Sequence, residues 1–188
     1  FHPVNAFEVH EDQDDKKIII DLCRYERIFQ KDLKGPAGDS PSQLARWTVN
    51  PETCAVSEEI VSDLPHEFPA HDPRTVGRRH RYAYTALGFD LGPTYRTDME
   101  TGEVTFHDHG EGRFGGEPIF VPREESTNEE DGWVLVCVND RGGSPAELVI
   151  LEANNIEEKP IARIHLPQRV PDGFHGAWVP DSVVSPDG

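Results

Sequence analysis

The stretch Trp47-Thr48-Val49-Asn50-Pro51-Glu52-Thr53-Cys54-Ala55-Val56 reads as strand, polar turn, strand, and the pattern returns at Tyr95-Arg96-Thr97-Asp98-Met99-Glu100-Thr101-Gly102-Glu103-Val104. A looser copy runs from Leu148-Val149-Ile150-Leu151-Glu152-Ala153-Asn154-Asn155 into Ile161-Ala162-Arg163. Asn50 and Asp98 stand 48 positions apart, Asp98 and Glu152 54. A unit of ~50 residues with about four strands is the period of a propeller blade. A β-sandwich would also yield three similar hairpins, so the repeat alone admits both. Three blades do not close a ring of ~4–8, which predicts that the chain is part of something larger. An opening at Phe1, without Met or leader, carries the same expectation and removes any inference from the absence of a signal peptide.

The rest of the chain is equally strand-like. No long stretch places apolar residues at the i, i+3, i+4, i+7 spacing of a helix, and 16 Pro and 16 Gly punctuate the sequence. Short β-type runs recur instead, at Lys17–Cys23, Ala45–Val49, Arg81–Thr85, Trp133–Val138, Glu147–Leu151 and Ile161–Leu166. The acidic clusters Asp12-Gln13-Asp14-Asp15 and Glu124–Asp131 read as solvated loops, and Lys31–Ser42 as an exposed connection.

Charge and cysteine usage narrow the function classes. A formal charge of −17 repels nucleic acid and anionic headgroups. Cys23, Cys54 and Cys137 are odd in number and far apart, which argues against a disulfide framework or zinc site and for a reducing compartment, the cytoplasm. No apolar run approaches the ~20 residues of a membrane span.

Of nine histidines, two have unusual company. His2 sits in Phe1-His2-Pro3-Val4-Asn5-Ala6-Phe7-Glu8 and His175 in Gly173-Phe174-His175-Gly176-Ala177-Trp178, each among small or aromatic neighbours. Glu67, before Phe68-Pro69, and Glu117, between Gly115-Gly116 and Pro118-Ile119-Phe120-Val121, tend towards the interior, where charge must be paired. The two pairs account for each other: imidazole Nδ1–H to carboxylate, Nε2 to a metal. The other histidines carry weaker signals. His107-Asp108-His109 resembles a ligand pair, but its Asp- and Gly-rich surroundings predict a surface turn well away from the site. His80, in a basic cluster, is expected to make structural hydrogen bonds.

The strings around His2, Glu67-Phe68-Pro69, Gly77-Arg78-Arg79-His80-Arg81-Tyr82, Gly116-Glu117-Pro118-Ile119-Phe120-Val121-Pro122-Arg123 and Val170–Trp178 together resemble the carotenoid cleavage oxygenase family. That family includes carotenoid, apocarotenoid and lignostilbene dioxygenases and the retinal-pigment-epithelium isomerase. The resemblance spans essentially the whole chain and is to the C-terminal portion of a bacterial member. It implies an all-β fold: three to four blades of a seven-bladed propeller with iron(II) on its axis, held by four histidines. Three of these are backed by glutamates. His2 matches the third ligand and His175 the fourth, with Glu67 behind His2 and Glu117 behind His175; the other two histidines and one glutamate would lie upstream. Asn5, Arg79 and Tyr82 match recurrent positions and are expected to be structural.

The implied reaction is oxidative cleavage of a conjugated C=C bond by O2 into two carbonyl fragments. The substrate would be a lipophilic polyene or stilbenoid, and the segment alone is expected to be inactive. Peripheral membrane contact through the missing portion stays compatible with the acidic charge. An iron-dependent isomerase and a noncatalytic binding propeller are the alternatives. A propeller glycosidase or lactonase would need paired carboxylates in an open polar cleft, which Phe-Pro and Pro-Ile-Phe settings do not suit.

Overall fold

The computed structural model describes residues 2–10, 16–30, 39–87, 92–171, 175–181 and 183. The acidic run at residues 12–15, most of the 31–42 connection, and Gly173 and Phe174 lie outside the described residues. Three antiparallel sheets follow one another along the chain. β1 (Pro3–His10), β2 (Lys16–Tyr25), β3 (Ser42–Val49) and β4 (Val56–Ser62) form the first, neighbours in sequence being neighbours in space. β5 (Glu67–Ala70), β6 (Tyr82–Ala86), β7 (Thr94–Asp98) and β8 (Val104–His107) repeat that order in the second. In the third, β9 (Arg113–Gly115) and β10 (Ile119–Pro122) pair with opposite ends of β11 (Gly132–Asp140), followed by β12 (Glu147–Glu152) and β13 (Ala162–His165). The helical elements among the described residues are two three-residue 3-10 turns, Pro73–Thr75 and Ala153–Asn155.

The repeating hairpins each join the last two strands of a sheet. Asn50 Oδ1 accepts from the N–H groups of Glu52 and Thr53, and Asp98 Oδ1 from those of Glu100 and Thr101. Short side chains that bond their own backbone two and three residues on favour such turns. Four positions past each, the backbone turns left-handed, at Cys54 (φ 58°) and Gly102 (φ 74°). At Gly102 a Cβ would lie 2.9 Å from the Val61 carbonyl oxygen, so only glycine fits without displacement. The third copy is looser for a stated reason: Glu152 makes no side-chain cap and reaches Arg123 instead, at 2.8 Å.

The core lies in the seams between sheets. On β11, Val134, Val136 and Val138 alternate inward and are essentially unexposed, as a period of two requires. They meet Val149 and Leu151 of β12, Phe120 of β10 and Tyr84 of β6. A smaller cluster of Val4, Leu44, Ala83 and Met99 joins the first sheet to the second. Between the first two sheets, Asn5 ties β1 to the loop before β6: its amide donates to the carbonyls of Thr75 and Arg78, and its Oδ1 accepts from Gly77 N–H.

Two expectations need correction. The Glu124–Asp131 cluster is not simply solvated. Glu129 accepts from the backbone N–H groups of Arg81 and Tyr82 and Glu130 pairs with Arg96, so the acidic loop of the third sheet clasps the second, while Asp131 pairs with Arg123 within the loop itself. Backbone donors and arginines at the seam require acceptors, and this loop supplies them. Nor are His107 and His109 at the surface: both are buried, His107 donating its Nδ1–H to the Ile156 carbonyl (2.9 Å) and His109 lying against the Thr94 hydroxyl (3.0 Å). β8 ends in the seam with the third sheet, so the rings turn inward although Asp108 between them is exposed.

Candidate metal centre

The first strand of each sheet is irregular where a site residue stands. Pro3 faces Leu22 and Asn5 faces Asp21, so β1 uses two residues against one just after His2. Glu67 faces Ala86 and Ala70 faces Tyr84, three steps against two. Gly115 faces Val138 and Ile119 faces Leu135, four against three, with Glu117 in the surplus. One extra residue bends a strand and re-aims a side chain that regular pleating would bury in a seam. At the second of these bulges Phe68, only 3 % exposed, adopts φ 50°, a left-handed conformation that a bulky residue keeps only where surrounding structure enforces it.

The four residues singled out in the sequence come together in two pairs. His2 Nδ1 is hydrogen-bonded to Glu67 Oε2, across the seam between the first and second sheets. His175 Nδ1 lies 3.0 Å from Glu117 Oε1, and Gly176 N–H donates to Glu117 Oε2. The two imidazole rings are neighbours, with centroids 5.3 Å apart and planes at 88°. Phe68 packs against both, 5.5 Å from His2 and 6.0 Å from His175. Glu67 is fully buried. Besides His2 it accepts from Phe68 N–H (3.0 Å) and from the Tyr25 hydroxyl. A buried carboxylate needs such partners, and three donors supply them. Burial, and then the Glu67 charge, push the Tyr25 phenol well up, so it remains a donor. Burial and the same carboxylate raise the Cys23 thiol.

Chemically, a neutral imidazole whose Nδ1–H is given to a carboxylate carries its lone pair on Nε2. Two imidazoles holding one ion at about 2 Å from each nitrogen have ring centres about 5 Å apart. The donor set therefore fits a divalent transition metal held through Nε2 of both rings. It is a partial set: among the described residues no group of three or more His, Cys, Asp or Glu side chains is arranged to hold a metal. The remaining histidines serve elsewhere. His66 is buried between Thr85 and Ser62, at 2.7 and 2.8 Å, and burial lowers its pKa to about 4. His80 stands by Asn5 and Asp21, lowered to about 3 by burial and by the neighbouring His71 and Arg46. Tyr25 and Phe68 were not singled out in the sequence. The one signal for Tyr25 was parity, since it shares a strand face with Cys23 two residues earlier.

Known proteins decide the family. The model of the retinal pigment epithelial membrane protein family matches residues 1–180. The chain belongs to the carotenoid cleavage oxygenase family. A carotenoid cleavage oxygenase of Mycobacterium tuberculosis is 38% identical over 96% of this chain and 37% of its own length. The apocarotenoid-15,15'-oxygenase of Synechocystis is 34% identical over 95% of the chain and 38% of its own, and resveratrol cleavage oxygenase 1 of Aspergillus fumigatus 33% over 95% and 40%. The cobalt-substituted Synechocystis apocarotenoid oxygenase superposes with a TM-score of 0.83 at 34% identity, covering 95% of this chain and 39% of that one. The three sheets correspond to a portion of its propeller. The chain thus spans roughly two fifths of the length of these relatives, and the family is one of non-haem iron oxygenases.

Proposed function

We propose that the whole protein is a non-haem iron(II) dioxygenase that cleaves a conjugated C=C bond of a carotenoid, apocarotenoid or stilbenoid. The bond and O2 become two carbonyl groups, one oxygen atom in each. The observation that carries this reading is the pair of perpendicular imidazoles, each with Nδ1 on its own carboxylate. His2 and His175 would hold the metal, with Glu67 and Glu117 fixing the ring that each presents. When bound, iron(II) supplies the electrons that make dioxygen reactive towards an alkene.

The chain's own residues orient the rings. Glu67 and Glu117 keep both Nδ1 protons in place, so neither histidine serves as a general base. Phe68 packs against both rings and helps fix where they stand. A groove of about 1250 Å³ runs beside Glu117, lined by Pro118, Ile119, Trp133 and Trp178 but also by Arg74, Arg123 and Glu124, and its apolar part offers surface for a polyene or stilbenoid. A carboxylate-based hydrolase is disfavoured by the burial of Glu67 and by the imidazole that occupies each carboxylate.

The test is iron content and product analysis of the full-length protein. Stoichiometric iron, lost in His175→Ala, with two carbonyl products from a polyene or stilbene, is expected. Iron with only a rearranged double bond would assign the isomerase outcome instead, and iron unaffected by His175→Ala would overturn the ligand assignment.

A further inference from the structure

The two carboxylates are not held alike. Among the described residues the partners of Glu117, His175 and Gly176, come from one short segment. Glu67 sits on the second sheet, yet two of its partners, His2 and Tyr25, reach it from the two strands that meet at the open end of the β1–β2 hairpin of the first. The Tyr25 hydroxyl takes Oε1, leaving Oε2 for His2 Nδ1 and Phe68 N–H. A carboxylate gripped at one oxygen cannot rotate to share its charge between two geometries. Tyr25 is half-buried, its backbone held in register opposite Ser42, so the hydroxyl is delivered by a rigid strand.

We propose that Tyr25 is a positioning residue for the metal centre, acting through Glu67 to fix the orientation and tautomer of His2. It touches neither metal nor substrate. Its hydroxyl locks the Glu67 carboxyl plane, and that plane sets where the His2 ring points. The inference rests on the reading of His2 and His175 as metal ligands.

The experiment uses metal-free full-length protein titrated with Co(II), read by cobalt absorption. Loss of a direct carboxylate partner costs ~10–100-fold in metal affinity, so Tyr25→Phe, one bond further out, is expected to cost up to about tenfold. Coupling separates positioning from a merely structural role. Tyr25→Phe added to Glu67→Gln should cost nothing further, whereas added to Glu117→Gln its cost should multiply in full. Replacing Tyr25 with 3-fluorotyrosine, which keeps the ring and makes the hydroxyl a stronger donor, should shift the cobalt bands even if Tyr25→Phe fails to fold. Unchanged affinity in Tyr25→Phe, independent costs with Glu67→Gln, or unmoved bands with fluorotyrosine would each overturn the proposal while leaving the ligand reading intact. Cobalt uptake insensitive to His175→Ala would overturn that reading, and this inference with it.

Discussion

Burial gives the two glutamates different vulnerabilities. Among the described residues Glu67 is enclosed with three donors, whereas the Glu117 side chain is 17 % exposed with two. Glutamine at 67 turns an N–H2 towards a group that itself donates, and no water can intervene; at 117 water can substitute. Both changes should weaken metal binding by ~10–100-fold in the full-length protein, Glu67→Gln towards the upper end and Glu117→Gln towards the lower, by cobalt titration. His66 carries a second prediction. Its imidazole is neutral in the fold, with a pKa of about 4, while in the unfolded chain it titrates near the usual value of 6.5. Below pH 6.5 the unfolded state binds the extra proton, so stability falls as pH falls towards 4, by about 2 kcal/mol between pH 7 and pH 5 from this residue. Denaturant unfolding at the two pH values should show His66→Leu less stable at pH 7 but with a pH dependence flatter by that amount.

The seams are where elements depend on one another. Glu129 supplies the acceptor for two backbone N–H groups of the neighbouring sheet, so Glu129→Ala should destabilise the protein by about 1–3 kcal/mol. Exposed Glu124→Ala should stay within about 0.5 kcal/mol in the same unfolding measurement. This difference within one acidic run also shows what the sequence could not convey. Long middle strands such as β2 and β11 were legible from β-branched residues in continuous or alternating runs, and the outer hairpins from their turn chemistry at Asn50 and Asp98. The first strands β1, β5, β9 and β10 were not, because Pro3, Pro69 and Pro122 interrupt the pattern, β5, β9 and β10 are short, and a surplus residue falls in β1, in β5 and between β9 and β10. Those irregularities serve the site. His2, Glu67, His175 and Glu117 were visible by the mismatch between charged or polar residues and their apolar neighbours. Tyr25, Glu129 and the inward turn of His107 and His109 depend on which sheet lies alongside, which no local pattern encodes.

At the scale of the molecule, three sheets place two imidazoles together, and a metal site built from four would draw the others from outside this span. The 188-residue segment by itself should therefore take up Fe(II) or Co(II) weakly in equilibrium dialysis, while the full-length protein binds one equivalent. Tight one-to-one uptake by the segment would show that its own side chains complete the site. The His2–Glu67 bond has a consequence of its own, because its two ends belong to different sheets. Parting the first blade from the second removes the carboxylate from the imidazole in the same movement. A metal gripped by that imidazole would then leave at the moments when the blades breathe. Its residence time becomes a clock for the ring, long when the seam is closed and short when any remote change lets it open.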